Sequence, residues 1–219
     1  MAKKYEDYNP YRPNGTSKQR FVEALVSKED IQKTLEHLKA QDNKRNLCMF
    51  CVALNFALRL NDLVNLKWSY VLDENYNIKN TIWLQESKRR RIRELTMNDL
   101  TREAIIMYIQ SLKDKGHEII LSNHMFPSRK GYNKPILVRS ASTLFKKIFK
   151  DAGCNPDYNY AGHTIRKSSG KLLYDAGNDV WKISNFLGHR NEQQTMCYIG
   201  ITRRDIRDMY KSLDDGLHL

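Results

Sequence analysis

Apolar side chains recur three and four positions apart through most of this sequence after residue 27, and between Trp68 and Met97 the pattern changes. Residues at that spacing share one face of an α-helix, so each such stretch predicts a helix with a buried side. Helices are predicted from Ser27, from Asn46 to about Phe56, from near Asn61, from Leu100 to Lys113, and over residues 139–152, 165–176, 179–186, 193–199 and 202–213. We therefore expect a mostly helical fold.

The segment between Trp68 and Met97 instead has the composition and alternation of β-strands. Strands are predicted over residues 69–72, 80–85 and 92–96, which together make a small three-stranded antiparallel sheet. The last two strands enclose Ser87-Lys88-Arg89-Arg90-Arg91, which we interpret as a cationic hairpin tip that reaches outward. The predicted fold class is therefore α+β, mainly α-helical with one small sheet.

The charge of the chain favours an anionic partner. Its 219 residues include 37 Lys and Arg against 25 Asp and Glu, a net charge of +12. DNA, RNA and an acidic membrane surface all satisfy that charge. No apolar run approaches the roughly 20 residues of a membrane span, and the N-terminus leads into no hydrophobic signal region. We expect a soluble cytoplasmic protein without a membrane partner.

Residues 1–27 are polar and carry Pro10, Pro13 and Gly15 among lysines and tyrosines, so they lack the periodicity of a packed element. We expect a flexible basic tail there, which is either an arm that touches nucleic acid or a plain disordered segment. One folded domain is expected over residues 28–219, with a C-terminal helix within 200–219.

The four cysteines are too few and too scattered for a disulfide framework. Cys48 and Cys51 form a C-x-x-C pair, but this pair lies in an apolar helical stretch without the second ligand pair that a zinc site needs. Reduced thiols packed in the core are the favoured interpretation, and no metal is expected.

Six dispersed side chains have the types that metal-free phosphoryl transfer requires. They are Arg59, Lys88, His163, Arg166, His189 and Tyr198. A guanidinium stays charged and can hold two phosphate oxygens, which suits Arg59 and Arg166 to the stabilisation of a charged transition state. His163 and Arg166 lie three positions apart on one predicted helix, so both can reach the same phosphate. His189 can donate from the other side.

Tyr198, nine positions after His189, is the candidate nucleophile. A phenol with its ordinary pKa near 10 needs a proton acceptor or a cationic field before it attacks at neutral pH. The neighbouring histidines and arginines provide both. Lys88, at the hairpin tip, is the candidate general acid for the leaving oxygen.

At these residues the chain resembles the tyrosine recombinases, a family that includes phage integrases. Ala57-Leu58-Arg59-Leu60-Asn61-Asp62 is similar to the family's first-arginine motif, with an acidic residue three positions after the arginine. Ser87-Lys88, His163-Thr164-Ile165-Arg166, and Leu187-Gly188-His189 with Tyr198 follow in the family's order. The chain departs from the usual pattern at Ala57, where glycine is usual, at Thr96, where proline is usual, and at Lys167, where histidine is common. The resemblance covers roughly residues 28 to 215.

The resemblance implies a site-specific recombinase of the integrase or invertase type, with the tyrosine recombinase catalytic-domain fold. Such an enzyme cuts one DNA strand through a 3'-phosphotyrosyl bond and needs no cofactor. The implied partners are double-stranded DNA and further copies of the chain. The protein is expected to be a monomer in solution and to form a tetramer on DNA, in which the 200–219 segment links the protomers. The resemblance leaves room for accessory DNA-bending factors and places the protein at the nucleoid. Candidate DNA contacts are the basic residues beside the motifs, Arg89, Arg90, Arg91, Arg93, Lys167 and Arg190.

Several alternatives stay open on the sequence. Arg59 can pair with Asp62 one helical turn away, the charge run after Lys88 can be a solvated hairpin, and Tyr198 can be a packed aromatic. His163 and His189 can be core histidines. A topoisomerase-like enzyme and a DNA-binding regulator that no longer cuts are the alternative functions. Family members generally carry an N-terminal DNA-clamping domain, so the chain is either a naturally short recombinase or a fragment.

Overall fold

The computed structural model describes residues 28–88, 92–131, 133–201, 207, 208, 210 and 211. Within that part of the chain, nine helices with described bounds and one pair of strands are seen, and residues 207, 208, 210 and 211 are also helical. The elements are α1 Lys28–Ala40, α2 Lys44–Phe56, α3 Leu60–Val64, α4 Trp68–Val71, β1 Thr81–Gln85, β2 Ile92–Thr96, α5 Asp99–Asp114, α6 Val138–Asp151, α7 Thr164–Asp175, α8 Val180–Leu187 and α9 Glu192–Ile199.

Helix α2 is the centre of the domain. Its residues from Asn46 to Ala53 are all buried, because α1, α5 and α7 pack around it. A helix that is apolar on every side requires such burial, whereas α1 buries only the stripe that includes Ile31, Leu35 and Leu38. The main core therefore lies around α2, and the elements that follow it in the chain are arranged on this core.

Strands β1 and β2 form an antiparallel pair with Thr81 opposite Thr96 and Gln85 opposite Ile92. Inward and outward positions alternate along both strands, as expected for a sheet with one face on the core. Ile82 and Leu84 of β1 point inward together with Leu95 of β2. This hairpin carries Ser87 and Lys88 at the end of β1.

The prediction of a third strand over residues 69–72 is wrong, because Trp68–Val71 forms the helical turn α4. The backbone N–H groups of Trp68 and Ser69 donate to the carbonyl oxygens of Asn123 and Leu121, rather than to a strand. The Trp68 ring packs on Tyr108, with the ring centroids 5.5 Å apart. Within residues 69–72, the isolated bridge between Leu72 and Ile78 keeps a strand-like pairing.

Helices α7, α8 and α9 pack against one another at one side of the domain. Their close approach depends on Gly170 of α7, where a Cβ atom would lie 3.0 Å from Ile199 Cγ2 and 3.1 Å from Leu187 Cδ1. Helix α8 ends at Gly188, and α9 begins after Asn191, whose side chain accepts a hydrogen bond from the Gln194 N–H at 2.9 Å. The histidine between these helices is thereby held in a short, well-bonded turn.

The predicted helices other than the last agree with α1 to α3 and α5 to α9. Ser27 and the tail before it, the hairpin tip at 89–91, and most of the 202–213 helix lie outside the described residues; residues 207, 208, 210 and 211 are helical. None of the helices that the structure describes is long and apolar enough to cross a membrane.

Candidate active site

Arg59 and Arg166 converge on a single buried carboxylate. Arg59 is the N-cap residue of α3, in extended conformation, and Arg166 lies in the first turn of α7. Arg59 Nη1 is 2.7 Å from Glu86 Oε2, and Arg166 Nη1 is 4.0 Å from Glu86 Oε1. The ion pair of Arg59 is therefore with Glu86, whereas the predicted alternative was Asp62. Two segments far apart in sequence thus bring two guanidinium groups to one place.

The Arg166 side chain is only 3% exposed and is held by backbone groups as well as by charge. Its Nη1 donates to the Ala57 carbonyl oxygen and its Nη2 to the Leu187 carbonyl oxygen. Burial, together with the nearby charges of Arg59 and Arg93, lowers the pKa of Arg166 to about 10, although Tyr198 and Glu86 act in the opposite direction. The guanidinium therefore stays charged at neutral pH and has a fixed orientation.

Tyr198 of α9 lies beside His189 and Lys167. The Tyr198 and His189 ring centroids are 4.9 Å apart in an edge-on arrangement, and Lys167 Nζ is 5.4 Å from the Tyr198 ring centroid. His189 is buried, and its Nδ1 forms a 2.9 Å hydrogen bond with Thr195 Oγ1. This hydrogen bond fixes the imidazole plane against the tyrosine.

The Tyr198 hydroxyl is covered although its ring is partly exposed. Burial raises the pKa of Tyr198 to about 12, and the positive charges of Arg166 and Arg59 offset only part of that effect. The phenol is consequently protonated at neutral pH in the free protein. Attack by its oxygen requires a proton acceptor and a change in its surroundings, such as the arrival of a charged ligand.

His163 and Lys88, both exposed, complete the group of six candidate catalytic residues. His163 is the N-cap residue of α7 and is exposed, yet the side chains around it remove part of its hydration. This partial burial lowers the pKa of His163, and the charges of Arg166, Arg59, Lys167 and Lys88 lower it further. All four cations therefore act on the same imidazole, which is neutral at neutral pH.

The base of the hairpin is tied to α3, which brings Lys88 towards the arginines. The Ser87 N–H donates to Asp62 Oδ1 at 3.0 Å, and Asn61 Nδ2 donates to Ser87 Oγ at 3.1 Å. Lys88 follows directly and is exposed. The acidic residue three positions after Arg59 thus orients the hairpin. The structure brings all six candidate catalytic residues to one side of the domain.

Residues 25–204 match the model of the phage integrase family. The chain belongs to this family. Membership confirms the resemblance drawn from the six motif residues, and it confirms the prediction of a site-specific DNA recombinase of the tyrosine type.

Two relatives of this integrase differ in how much of their own length it covers. The probable integrase/recombinase YoeC of Bacillus subtilis is 26% identical over 191 residues, which are 87% of this chain and 96% of YoeC. Tyrosine recombinase XerC of Caldanaerobacter subterraneus is 27% identical over 186 residues, which are 82% of this chain but only 48% of XerC. The chain thus spans nearly all of YoeC and about half of XerC.

A solved structure has the same fold. The crystal structure of the XerH site-specific recombinase bound to its palindromic difH substrate, a post-cleavage complex, aligns with a TM-score of 0.65 at 17% identity, over 87% of this chain and 53% of XerH. This likeness confirms the predicted α+β class with its mainly helical catalytic-domain fold.

The predicted DNA contacts divide into three groups in this integrase. Lys167 and Arg190 lie beside the site, and Arg190 is exposed, so both positions suit a phosphate contact. Arg89, Arg90 and Arg91 lie outside the described residues. Arg93 is only 6% exposed; its Nη1 is 3.2 Å from Glu86 Oε1, and its Nη2 donates to the carbonyl oxygens of Phe56 and Phe186. A buried guanidinium with these partners does not fit the prediction that Arg93 contacts DNA.

Glu86 is the site residue that the sequence interpretation missed. Its side chain is fully buried, although it directly precedes the hairpin tip that we interpreted as reaching outward. A signal was present in the alternation of β1, because Ile82, Leu84 and Glu86 occupy successive inward positions. Arg93 occupies an inward position of β2 in the same way, so an inward acid and an inward base on paired strands indicate a buried ion pair.

The C-x-x-C pair lies in the core of the domain. Cys48 and Cys51 are completely buried in α2, and burial raises the pKa of Cys51 to about 12. Among the described residues, no group of three or more histidine, cysteine, aspartate or glutamate side chains is placed to hold a metal ion.

Proposed function

We propose that this integrase cleaves and rejoins DNA strands through a 3'-phosphotyrosyl intermediate on Tyr198. The observation that carries this proposal is the convergence of one tyrosine with two oriented arginines and two histidines on one side of the domain. Tyr198 and His189 are in ring contact, and the charges of Arg166 and Arg59 act on the phenol directly. Such a set supplies a nucleophile and the donors for a phosphate in one place.

Arg59 and Arg166 hold the non-bridging oxygens of the scissile phosphate. Both are fixed before DNA arrives, Arg166 by two backbone carbonyls and Arg59 by Glu86. Preorganised charge stabilises the trigonal-bipyramidal transition state because the donors need no reorientation during the reaction. His189, held by Thr195, donates to the phosphate from the side of α9.

His163 accepts the phenolic proton as the Tyr198 oxygen bonds to phosphorus. The surrounding cations keep this imidazole neutral, which is the form that can accept a proton. Lys88 then donates a proton to the 5'-oxygen as the P–O5' bond breaks, so the products are a phosphotyrosine and a free 5'-hydroxyl. A 5'-hydroxyl from another strand reverses these steps and completes the exchange.

The larger assembly is also part of the proposal. Lys167, Arg190 and the hairpin arginines Arg89, Arg90 and Arg91 contact the phosphates of double-stranded DNA. The catalytic domain comprises residues 28–219, and its 200–219 segment links protomers, so that a monomer in solution forms a tetramer on DNA at the nucleoid. Accessory DNA-bending factors are compatible with this arrangement.

A nicked suicide substrate tests the chemistry. Candidate DNA is sought among inverted repeats beside the encoding gene, and a nick beside the cleavage position lets the short 5'-end diffuse away. We expect a covalent protein–DNA adduct that resists denaturation and is lost in Tyr198→Phe. Tyr174→Phe is the matched control, because Tyr174 also lies beneath a lysine, with Lys171 Nζ 5.7 Å from its ring centroid.

An adduct that persists in Tyr198→Phe would contradict the assignment of the nucleophile. A wild-type protein that binds this DNA and forms no adduct would support the regulator instead. Strand exchange between two labelled duplexes then distinguishes a recombinase from a topoisomerase-like enzyme, since the latter rejoins only the strand that it cut.

A further inference from the structure

Glu86 is a fully buried carboxylate among three guanidinium groups. Arg59 lies 2.7 Å from Oε2, Arg93 lies 3.2 Å from Oε1, and Arg166 lies 4.0 Å from Oε1. One negative charge therefore faces three positive charges in the interior. Removing a charged group from water is unfavourable unless its partners are close and well oriented, so these contacts must be kept for the cluster to be stable.

The three arginines have different surroundings. Arg93 is anchored on the far side of the cluster, because its Nη2 also donates to the carbonyl oxygens of Phe56 and Phe186. Arg59 is the most exposed of the three, at 16%, and so is the one best placed to meet a ligand from solvent. Glu86 thus connects an internal anchor, Arg93, to the two arginines that we assign to the phosphate.

The backbone at Gly188, in the Leu187-Gly188-His189 segment, lies against this cluster. A Cβ atom at Gly188 would lie 3.3 Å from Glu86 Oε2 and 3.5 Å from Arg93 Cδ. The carboxylate is therefore confined between the strand that carries it and the turn that precedes His189. A side chain with little freedom of movement can fix the positions of the groups that bind it.

We propose that Glu86 is a positioning residue for strand cleavage, whose carboxylate sets the separation and orientation of Arg59 and Arg166 around the scissile phosphate. This inference rests on the proposed function. Glu86 itself touches neither DNA nor the reacting atoms. It acts through the two arginines, and Arg93 holds it in place.

A positioning role and a merely structural role predict different kinetics. Loss of the negative charge leaves the arginines as cationic as before, so the ground-state affinity for phosphate is kept or increased. Their geometry is loosened, however, and a misplacement of about 1 Å in a catalytic group can cost on the order of 100-fold in rate. Structural damage alone would instead weaken DNA binding and cleavage together with stability.

Glu86→Gln tests this difference, since it removes the charge and keeps the shape. We expect adduct formation on the suicide substrate to be about 100-fold slower in single turnover, with a Kd for DNA equal to or lower than that of the wild type. Glu94→Gln is the control, because Glu94 is the exposed glutamate of β2. A cleavage rate within twofold of the wild type in Glu86→Gln would overturn the inference.

A second variant covers the case in which Glu86→Gln fails to fold because the three guanidinium groups lose the carboxylate that they share. The double variant Glu86→Gln with Arg93→Met removes one charge of each sign and so preserves the net charge of the cluster. If this protein has the melting temperature of the wild type and still cleaves about 100-fold more slowly, positioning of Arg59 and Arg166 is supported. If it cleaves at the wild-type rate, Glu86 serves only to neutralise Arg93, and the inference is wrong.

Glu86→Asp adds a readout that charge alone would not change. It restores the negative charge but withdraws it by one methylene from Arg59, so we expect only partial recovery of the cleavage rate. Full recovery would show that distance is unimportant and would contradict a positioning role.

The wild-type protein serves as the reference in every assay. Absence of its Tyr198 adduct would reject the proposed function itself. A wild-type adduct with unaffected Glu86 variants would reject only the positioning role of Glu86.

Discussion

His163 is the residue whose ionisation should couple DNA binding to pH. Partial burial and four neighbouring cations lower its pKa in the free protein. A bound phosphate adds negative charge beside the imidazole and favours its protonated form, which raises the pKa of His163 in the complex. The complex therefore binds more protons than the free protein, and affinity should increase as the pH falls towards the unperturbed pKa of about 6.5.

DNA affinity is measured at pH 8 and pH 6 in a Tyr198→Phe background that cannot cleave. We expect the increase in affinity between these two pH values to be about tenfold larger when residue 163 is histidine than in His163→Gln. The effect is on the order of tenfold because one unit of pKa change corresponds to a factor of ten in the equilibrium. His117→Gln, at an exposed loop position, should keep the wild-type dependence. Equal slopes for His163→Gln and the wild type would show that the imidazole does not meet the phosphate.

The motif residues were predictable from sequence because their spacing along the chain follows from the local turns that carry them. His163 and Arg166 share one helical turn, and Tyr198 lies in α9, the short helix that follows His189. Glu86 and Arg93 were not recognised, because a pairing across a hairpin depends on which strand face is buried. The alternation of Ile82, Leu84 and Glu86 contained that information, but the cationic run after Glu86 favoured an exposed interpretation.

The end of helix α8 is a position at which a small change reaches the candidate site. Gly188 has a φ of +61°, and an added Cβ would meet Glu86 Oε2 at 3.3 Å. The carboxylate cannot easily give way, because two ion pairs fix it. Gly177, which follows the end of α7, has a φ of +80° with no heavy atom within 4 Å of an added Cβ. The two glycines therefore separate backbone strain from a packing clash.

We expect Gly177→Ala to lower the free energy of unfolding by about 1 kcal/mol, the cost of a left-handed conformation for a residue with a Cβ. Gly188→Ala should lower it by about 1 to 3 kcal/mol more, because the methyl group overpacks the cluster. It should also slow adduct formation, whereas Gly177→Ala should leave the cleavage rate unchanged. Urea denaturation and single-turnover cleavage measure the two effects, and equal losses in both variants would exclude the clash with Glu86.

The longer helices were predictable from the sequence, whereas α4 was not, because α4 is only one turn long. A stretch such as α5 repeats its apolar positions over four turns, so its period is unambiguous. Trp68, Ser69, Tyr70 and Val71 make only one turn, and their aromatic and β-branched side chains are typical of strands. Tertiary contacts decided the outcome, since the Trp68 and Ser69 N–H groups bond to the loop at 121–123. Ala57 is a related case: its φ of +45° at the end of α2 explains why glycine is usual there.

At the scale of the whole molecule, the separation between buried and exposed cations determines how the integrase meets DNA. The net charge is +12, but Arg93 and Arg166 are buried and already bonded within the protein. Exposed cations such as Arg190 are the ones that can displace counterions from a duplex.

This separation predicts a strong and residue-specific dependence of DNA binding on salt. The logarithm of the association constant of the Tyr198→Phe protein, measured by fluorescence anisotropy, should fall linearly with the logarithm of the KCl concentration, by about 0.9 for each phosphate contacted. Arg190→Gln should reduce the magnitude of that slope by about 1, because one contact is lost. Lys33→Gln should not, because Lys33 already pairs with Glu29 at 2.9 Å. A slope near zero would contradict phosphate binding, and equal effects of the two variants would mean that only net charge matters and that Arg190 occupies no defined place on the duplex.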